Sequence, residues 1–231
     1  MSDTGKPPRE HRRHSSLKST WSILRREAWA AIRHQFGCWR ARRVKIGGAR
    51  LNVGSGKHPL VDWINADLFL DADLNFDIRE RWPVADGQLR VIRLEHVLEH
   101  VEYPGHALHV LCECYRVLQP NGIVRVGVPD TAAILRAYVE GPEAAYFRTA
   151  RESWHPASVR LPIEHVNFHF RDRYGEHLFA YDAEALEQLL SRAGFSNIQR
   201  AGFDPAIDRP DREAGTIRLC GIKITSKESQ P

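Results

Sequence analysis

Residues 50–67 read RLNVGSGKHPLVDWINAD: a short apolar run that ends in a glycine pair, then a second short run that ends in an acid. Gly54 and Gly56 permit backbone conformations with positive φ and let a ligand approach the main chain closely. Asp67 places a carboxylate, which can accept two hydrogen bonds, at the end of the second run. The stretch therefore indicates two neighbouring strands of a ligand-binding α/β sheet.

The same stretch disfavours a dinucleotide cofactor. The fingerprint G-x-G-x-x-G requires a third glycine at position 59, where this chain has Pro59. The ten residues between Gly56 and Asp67 also leave too little room for a first helix of ordinary length. A carboxylate that can accept the two hydroxyls of a ribose still favours a ligand that contains a nucleoside.

Short β-type runs alternate with helical patterns along the rest of the chain, which predicts a doubly wound, mostly parallel sheet. Apolar spacing predicts a helix over residues 104–118 and a second one that Asp182 caps and Gly194 ends. Strands are predicted near residues 50–53, 63–66, 89–94, 123–128, 196–203 and 216–224.

Composition indicates a globular chain without a membrane span. Of the 231 residues, 42% are hydrophobic and 27% charged. The longest apolar run near the start, residues 28–32, is far too short to span a bilayer, and no signal-peptide apolar region is present. The four cysteines form no C-x-x-C pair, so neither a zinc ribbon nor a disulfide framework is indicated. We expect a cytoplasmic protein.

Charge divides the chain into three predicted parts. Residues 1–50 hold 13 basic and three acidic side chains, whereas the remainder holds 20 basic and 26 acidic ones. Residues 1–19 are almost devoid of apolar side chains and are predicted to form a disordered basic tail. Residues 20–47 are predicted to form an amphipathic basic helix and a linker, and residues 48–226 the main domain.

The predicted basic helix begins at Thr20 and ends at Gly37. Its apolar positions recur at helical spacing and are Trp21, Leu24, Ala28, Ile32 and Phe36. This stripe could lie on an anionic membrane, or it could pack on the core or over a ligand. We favour packing, because Glu27 and the small alanines weaken a membrane-binding face.

Further motifs follow the glycine pair in a fixed order along the chain. They are Asp77, Glu95-His96-Val97-Leu98-Glu99-His100-Val101, Arg116-Val117-Leu118-Gln119-Pro120-Asn121-Gly122 and Val128-Pro129-Asp130. With residues 51–56 and Asp67, this series resembles the class I S-adenosylmethionine-dependent methyltransferases, and more closely a type 11-like bacterial branch of them. The resemblance implies a Rossmann-like, seven-stranded, mostly parallel sheet with an antiparallel last strand. It also implies that residues 131–181 form a substrate-recognition insertion.

The resemblance implies a set of residues that contact S-adenosylmethionine. Gly54 and Gly56 would lie against its amino-acid part, Asp67 would accept the ribose hydroxyls, and Asp77 would bind the adenine amino group. Residues 94–96 would flank the sulfur and the incoming acceptor. The full set of expected cofactor-binding residues is Asn52, Gly54, Ser55, Gly56, Asp67, Asp77, Leu94 and Glu95.

Histidines are the candidate catalytic residues. Methyl transfer from a sulfonium depends mainly on alignment, and a base is needed only for a hydroxyl or protonated amine acceptor. His96, at the end of the predicted strand 89–94, is the candidate base, with His100 as the second catalytic candidate. Alternatively, Glu99 and His100 cap and orient the helix that follows.

The insertion mixes aromatic, amide, imidazole and guanidinium groups, which is typical of a site for a polar acceptor. The residues expected to bind it are His165, Asn167, Arg171 and His177. His165 and His169 would share a helix face and could hold a metal. However, the alternation of Phe168 and Phe170 favours an extended segment, so no metal site is predicted.

The expected reaction is O-methylation of a small polar metabolite or glycan precursor. An RNA methyltransferase that uses the basic arm is an alternative, although the chain lacks the Asn/Asp-Pro-Pro-aromatic and Pro-Cys motifs of base methylation. A non-catalytic S-adenosylmethionine-binding protein is a second alternative. Peripheral contact of the basic helix with a membrane remains open.

Overall fold

The computed structural model of this chain describes the backbone of residues 16–175 and 177–224 and the side chains of residues 20–170 and 177–224. Residues 1–15 of the predicted disordered tail lie outside this description. Residues 16–19, predicted to be disordered as well, instead form the first turn of helix α1, Ser16–Ala41. The helix therefore begins before Thr20 and does not use it as an N-cap.

A single mixed sheet organises the main domain. Its strand order is β2-β1-β3-β4-β6-β5. The pairs β1–β2, β1–β3 and β3–β4 are parallel, while β6 runs antiparallel to both β4 and β5. This topology confirms the Rossmann-like fold with an antiparallel last strand. The strands are β1 Ala49–Val53, β2 Ile64–Ala66, β3 Leu89–Glu95, β4 Leu118–Pro129, β5 Ser196–Arg200 and β6 Thr216–Ile222.

The described residues form six strands, so the expected count of seven is wrong by one. Beyond β2, where a further parallel strand would lie, only a single bridge joins Ala66 to Leu74. Side-chain contacts replace a strand ladder there: the Asn75 amide donates to the carbonyls of Asp67 and Leu70, at 2.8 Å each. The edge of the sheet is thus held by side chains and by helix α1.

The described residues form five further α-helices. They are α2 Gly105–Val117, α3 Thr131–Glu140, α4 Ala145–Ser153, α5 Pro162–Gly175 and α6 Ala183–Arg192. Helices α3, α4 and α5 lie within the predicted insertion, and α3 packs against both others. Residues 168 and 170 lie in α5, so the expectation of an extended segment there is wrong.

Helix α6 has the predicted caps. The Asp182 carboxylate accepts a hydrogen bond from the Ala185 N–H at 2.8 Å. Gly194 has a φ of +100°, and the Phe195 N–H donates to the Leu190 carbonyl at 3.1 Å. This bonding pattern is that of a left-handed C-terminal cap, which glycine adopts most readily.

Helix α1 packs through a face opposite to the predicted one. Gly37 does not end the helix: a Cβ there would lie 1.4 Å from the Asn75 carbonyl oxygen, so only glycine allows this close approach. The predicted apolar stripe is instead open to solvent, with Trp21 70%, Ile32 59% and Phe36 56% exposed. The stripe therefore does not pack on the core as expected, because the face with His34 and Gly37 packs against the loop around Asn75 instead. Packing of the stripe over a ligand stays a prediction.

None of the helices in the part of the chain that the structure describes is long and apolar enough to cross a bilayer.

Candidate active site

A tight turn of left-handed glycines follows β1. Gly54 and Gly56 have φ values of +67° and +55°. A Cβ on Gly54 would lie 2.5 Å from Val97 Cγ2, so this glycine allows the turn to touch the end of β3. A Cβ on Gly56 would meet nothing closer than 4.0 Å. The space above Gly56 is therefore open to a ligand that approaches the backbone.

The Asp67 carboxylate links this turn to the end of β2. Its Oδ2 accepts from the Gly56 N–H at 3.1 Å, and its Oδ1 accepts from the Phe69 and Leu70 N–H groups at 2.9 Å each. These bonds fix the orientation of the carboxylate beside the glycine turn. The ribose-binding role expected for Asp67 stays a prediction.

Asp77 is buried and engaged by a cation. Arg79 donates from Nε and Nη2 to its carboxylate, and the same guanidinium pairs with Glu27 of α1 at 2.8 Å. Burial alone would raise the pKa of Asp77, but the Arg79 hydrogen bonds outweigh it and lower the pKa. The Asp77 N–H donates to His34 Nδ1 at 3.2 Å. Arg79 and His34 were not predicted to lie here.

Three expected cofactor residues have side chains that are engaged within the sheet or its core. The Asn52 amide donates to Asn65 at 3.0 Å and accepts from Arg93 at 3.0 Å, so it forms a polar row across the strands. Leu94 is fully buried in the core, and Glu95 pairs with Arg218 at 2.8 Å. The Asn52 and Glu95 side chains lie on one face of the sheet and the Leu94 side chain on the other, because adjacent residues of a strand point to opposite faces. The cofactor-binding role expected of these three residues stays a prediction.

A buried ion cluster supports the loop beyond β5. Arg93, Arg125 and Arg218 converge on Asp208, and burial lowers the pKa of Arg93 to about 10. Arg218 also donates to the Arg212 carbonyl at 3.1 Å. The cluster thereby holds Arg212 beside the cavity described next.

His96 lies where β3 ends, in a left-handed conformation with φ +56° that is uncommon for residues other than glycine. Its Nε2 is 3.0 Å from Thr216 Oγ1 and its Nδ1 is 3.4 Å from Glu99 Oε1. Burial, followed by the charge of Arg212, lowers the pKa of His96 well below its ordinary value. The imidazole is therefore neutral at neutral pH and can accept a proton.

A cavity of about 400 Å³ opens in front of His96. Of the three expected substrate residues whose side chains the structure describes, only His177 lines it. His165 is buried in a stack with Phe147 and His155, and the exposed Asn167 donates to the Ile163 carbonyl of its own helix at 2.8 Å. The Arg171 side chain lies outside the described residues. Other residues that line the cavity are Tyr146, Trp154, His155, His169, Arg212 and Thr216.

The cavity wall carries neutral imidazoles. Burial lowers the pKa of His155 to about 3 and that of His169 to about 4. His169 Nε2 lies 3.0 Å from Thr131 Oγ1. The density of histidines and aromatics in residues 131–181 indicated a polar site, but the sequence did not reveal which of them share its face.

Glu99 and His100 form a short 3-10 helix, Leu98–His100, that leads away from His96. His100 Nε2 lies 3.9 Å from Glu99 Oε1, and its ring contacts that of His177 with 5.0 Å between centroids. The N-cap of α2 is Pro104, with no side-chain capping bond. The alternative that Glu99 and His100 cap the following helix is therefore wrong.

Comparison with known proteins identifies related sequences and structures. Residues 22–200 match the family model described as a methyltransferase domain. No curated protein matches the chain. The chain has 16% identity to a Thermotoga maritima protein described as an S-adenosylmethionine-dependent methyltransferase and possible histamine N-methyltransferase, with a TM-score of 0.47, covering 91% of this chain and 96% of that one.

Two archaeal structures, both described as S-adenosylmethionine-dependent methyltransferases, are also similar. The one from Methanosarcina mazei has 14% identity and a TM-score of 0.48, covering 78% of this chain and 94% of that one. The one from Archaeoglobus fulgidus has 15% identity and a TM-score of 0.46, covering 82% and 94%. At such distances the acceptors of these proteins are no guide to the acceptor of this chain.

Proposed function

We propose that this chain, which belongs to the methyltransferase domain family and uses S-adenosylmethionine as methyl donor, methylates an oxygen of a small polar acceptor. A metabolite or a glycan precursor is the proposed class. The observation that carries the proposal is the position of His96. It borders the cavity, while the adjacent Val97 touches Gly54 of the glycine turn, so donor and acceptor sites adjoin.

The proposed donor site consists of Gly54, Ser55, Gly56, Asp67 and Asp77. Bound there, S-adenosylmethionine supplies a methyl group on a sulfonium, for which alignment is the main requirement. The open backbone at Gly56 and the fixed carboxylate of Asp67 support this assignment. Arg79 is proposed to keep Asp77 ionised and correctly oriented for the adenine amino group.

His96 is the proposed base. The acceptor hydroxyl would replace Thr216 as the partner of Nε2, so its proton passes to that nitrogen as the oxygen attacks the methyl carbon. Glu99 Oε1, 3.4 Å from Nδ1, orients the ring and stabilises the imidazolium that forms. The breaking bond joins the methyl group to sulfur, and its electron pair stays on the sulfur.

The cavity supports an acceptor of modest size. A volume of about 400 Å³ is near the lower end for small-molecule sites. Imidazole, phenol and guanidinium groups line it, which suits hydroxyl-rich or anionic molecules more than apolar ones.

The test uses methyl-labelled S-adenosylmethionine, the purified full chain and fractionated cell extract, with and without ribonuclease. We expect label in a small, ribonuclease-resistant fraction. Label that appears only in ribonuclease-sensitive polymer would replace this proposal with the RNA alternative. No transfer to any fraction, with normal cofactor binding, would favour a non-catalytic binding protein.

We also propose that α1 rests on an anionic membrane surface. Its exposed apolar side chains form one stripe with Arg25, Arg26 and Arg40 beside it, and Arg43 lies over the Trp39 ring at 4.2 Å. Aromatic and aliphatic groups next to arginines match the boundary between acyl chains and anionic head groups. A second copy of this helix would instead oppose arginines to arginines.

Co-sedimentation with phosphatidylserine-containing vesicles tests this contact. Ile32→Asp should abolish binding, whereas Val139→Asp, at an even more exposed apolar position on α3, should not. Binding should also weaken at high salt. The membrane proposal is wrong if the unmodified chain does not sediment with vesicles but forms a dimer in solution that Ile32→Asp dissociates. The stripe would then serve self-association.

A further inference from the structure

A group of potential metal ligands lies at the wall of the acceptor cavity. Glu99, His100 and His177 each offer one ligand atom, and these atoms all lie within 4.8 Å of one another. The Glu99 carboxylate is buried, with the residue 1% exposed, whereas His177 borders the cavity. We propose that these three residues bind one divalent transition-metal ion. No metal site is predicted from the sequence, in which His165 and His169 are the candidate ligand pair.

The backbone holds the two halves of this site together. The Leu178 N–H donates to the Glu99 carbonyl at 2.7 Å, which fixes the segment of His177 beside the 3-10 helix. His177 Nδ1 donates to the His169 carbonyl at 2.7 Å. Because Nδ1 carries the proton, the lone pair of the ring is at Nε2. Metal-binding histidines are commonly oriented in this way, by a bond from the other ring nitrogen.

The donor set indicates the class of ion. Two imidazoles and one carboxylate suit zinc and its neighbours, whereas magnesium and calcium prefer oxygen ligands alone. Three protein ligands leave a coordination position for a further group, as in catalytic zinc sites.

The role of the ion in turnover rests on the proposed function, whereas its binding does not. Since His177 belongs to both the cluster and the cavity wall, the open position would face the acceptor. An acceptor hydroxyl bound there would lose its proton more readily, because a bound divalent ion lowers the pKa of its oxygen ligand. His96, which lines the same cavity, would receive that proton at Nε2, the nitrogen that faces Thr216.

The test is a titration of metal-free full-length chain, without an affinity tag, with Co²⁺ and then with competing Zn²⁺. We expect one Co²⁺ per chain, with the visible absorption of a low-coordinate site that Zn²⁺ abolishes. Loss of a direct ligand should weaken binding at least as much as loss of an orienting partner, so His177→Ala and His100→Ala should lower affinity about 100-fold or more. His106→Ala is the matched control, because His106 is an exposed histidine 3.6 Å from Glu102.

Two outcomes would overturn the inference. One is the absence of any one-to-one Co²⁺ complex. The other is an affinity that His177→Ala leaves unchanged, which would place the ion elsewhere, for example at His11 and His14 of the tail. Calorimetry with S-adenosylhomocysteine shows whether each variant is folded. Normal binding of this product without metal binding would refute the metal site alone, whereas its failure in the unmodified chain would refute the proposed function.

Discussion

Replacing Asp67 by Asn should weaken binding of S-adenosylmethionine without unfolding the chain. In the structure three backbone N–H groups hold the carboxylate in place, so its orientation is set before the ligand arrives. A charged hydrogen bond contributes about 1.5–3 kcal/mol, which corresponds to a loss of affinity of roughly 10- to 150-fold. An asparagine whose side-chain oxygen still accepts from the Phe69 and Leu70 N–H groups would lose only the hydrogen bond from Gly56. That loss should lower the free energy of unfolding by about 1 kcal/mol and the melting temperature by roughly 2–4 °C.

Isothermal titration calorimetry with S-adenosylmethionine and S-adenosylhomocysteine measures this effect. Asp62→Asn is the matched control, because this substitution removes the same charge nearby. Asp62 is exposed, and asparagine tolerates its φ of +60°. The reasoning is refuted if both variants bind within twofold of the unmodified chain.

Two further changes test the packing. Gly37→Ala should lower stability by about 1–3 kcal/mol in thermal unfolding, because its Cβ would overlap the Asn75 carbonyl, whereas Gly105→Ala, with open space around it, should not. Glu113→Gln should cost about 2 kcal/mol at pH 7 in urea unfolding, because burial would raise the pKa of Glu113 but its hydrogen bonds to Arg116 lower it. That stabilisation is complete above the unfolded pKa of about 4.3 and is lost as the pH falls through the lower pKa of the folded state. The free energies of unfolding of the two proteins should therefore converge in acid. A difference that stays constant with pH would contradict this origin.

Local signals predicted the elements that local chemistry determines. The Gly54 and Gly56 turn, the carboxylate of Asp67 and both caps of α6 follow from residue types at short spacing, and the structure has all of them.

Features that depend on distant contacts were not predictable from the sequence. Which face of α1 is buried depends on the loop around Asn75, nearly forty residues later in the sequence. The Asn52 and Glu95 side chains are engaged by Arg93 and Arg218, which come from other strands. The approach of His177 to Glu99 joins segments that no sequence pattern relates.

The measurement that most directly tests the central claim is the turnover of His96→Ala with the labelled acceptor fraction, beside calorimetry of its cofactor binding. A general base contributes about 100- to 10,000-fold, so we predict a loss of kcat of that order with the S-adenosylhomocysteine Kd unchanged. His106→Ala should retain full activity. Unchanged turnover in His96→Ala, or a loss explained entirely by weaker cofactor binding, would contradict the assignment of His96 to the junction between donor and acceptor.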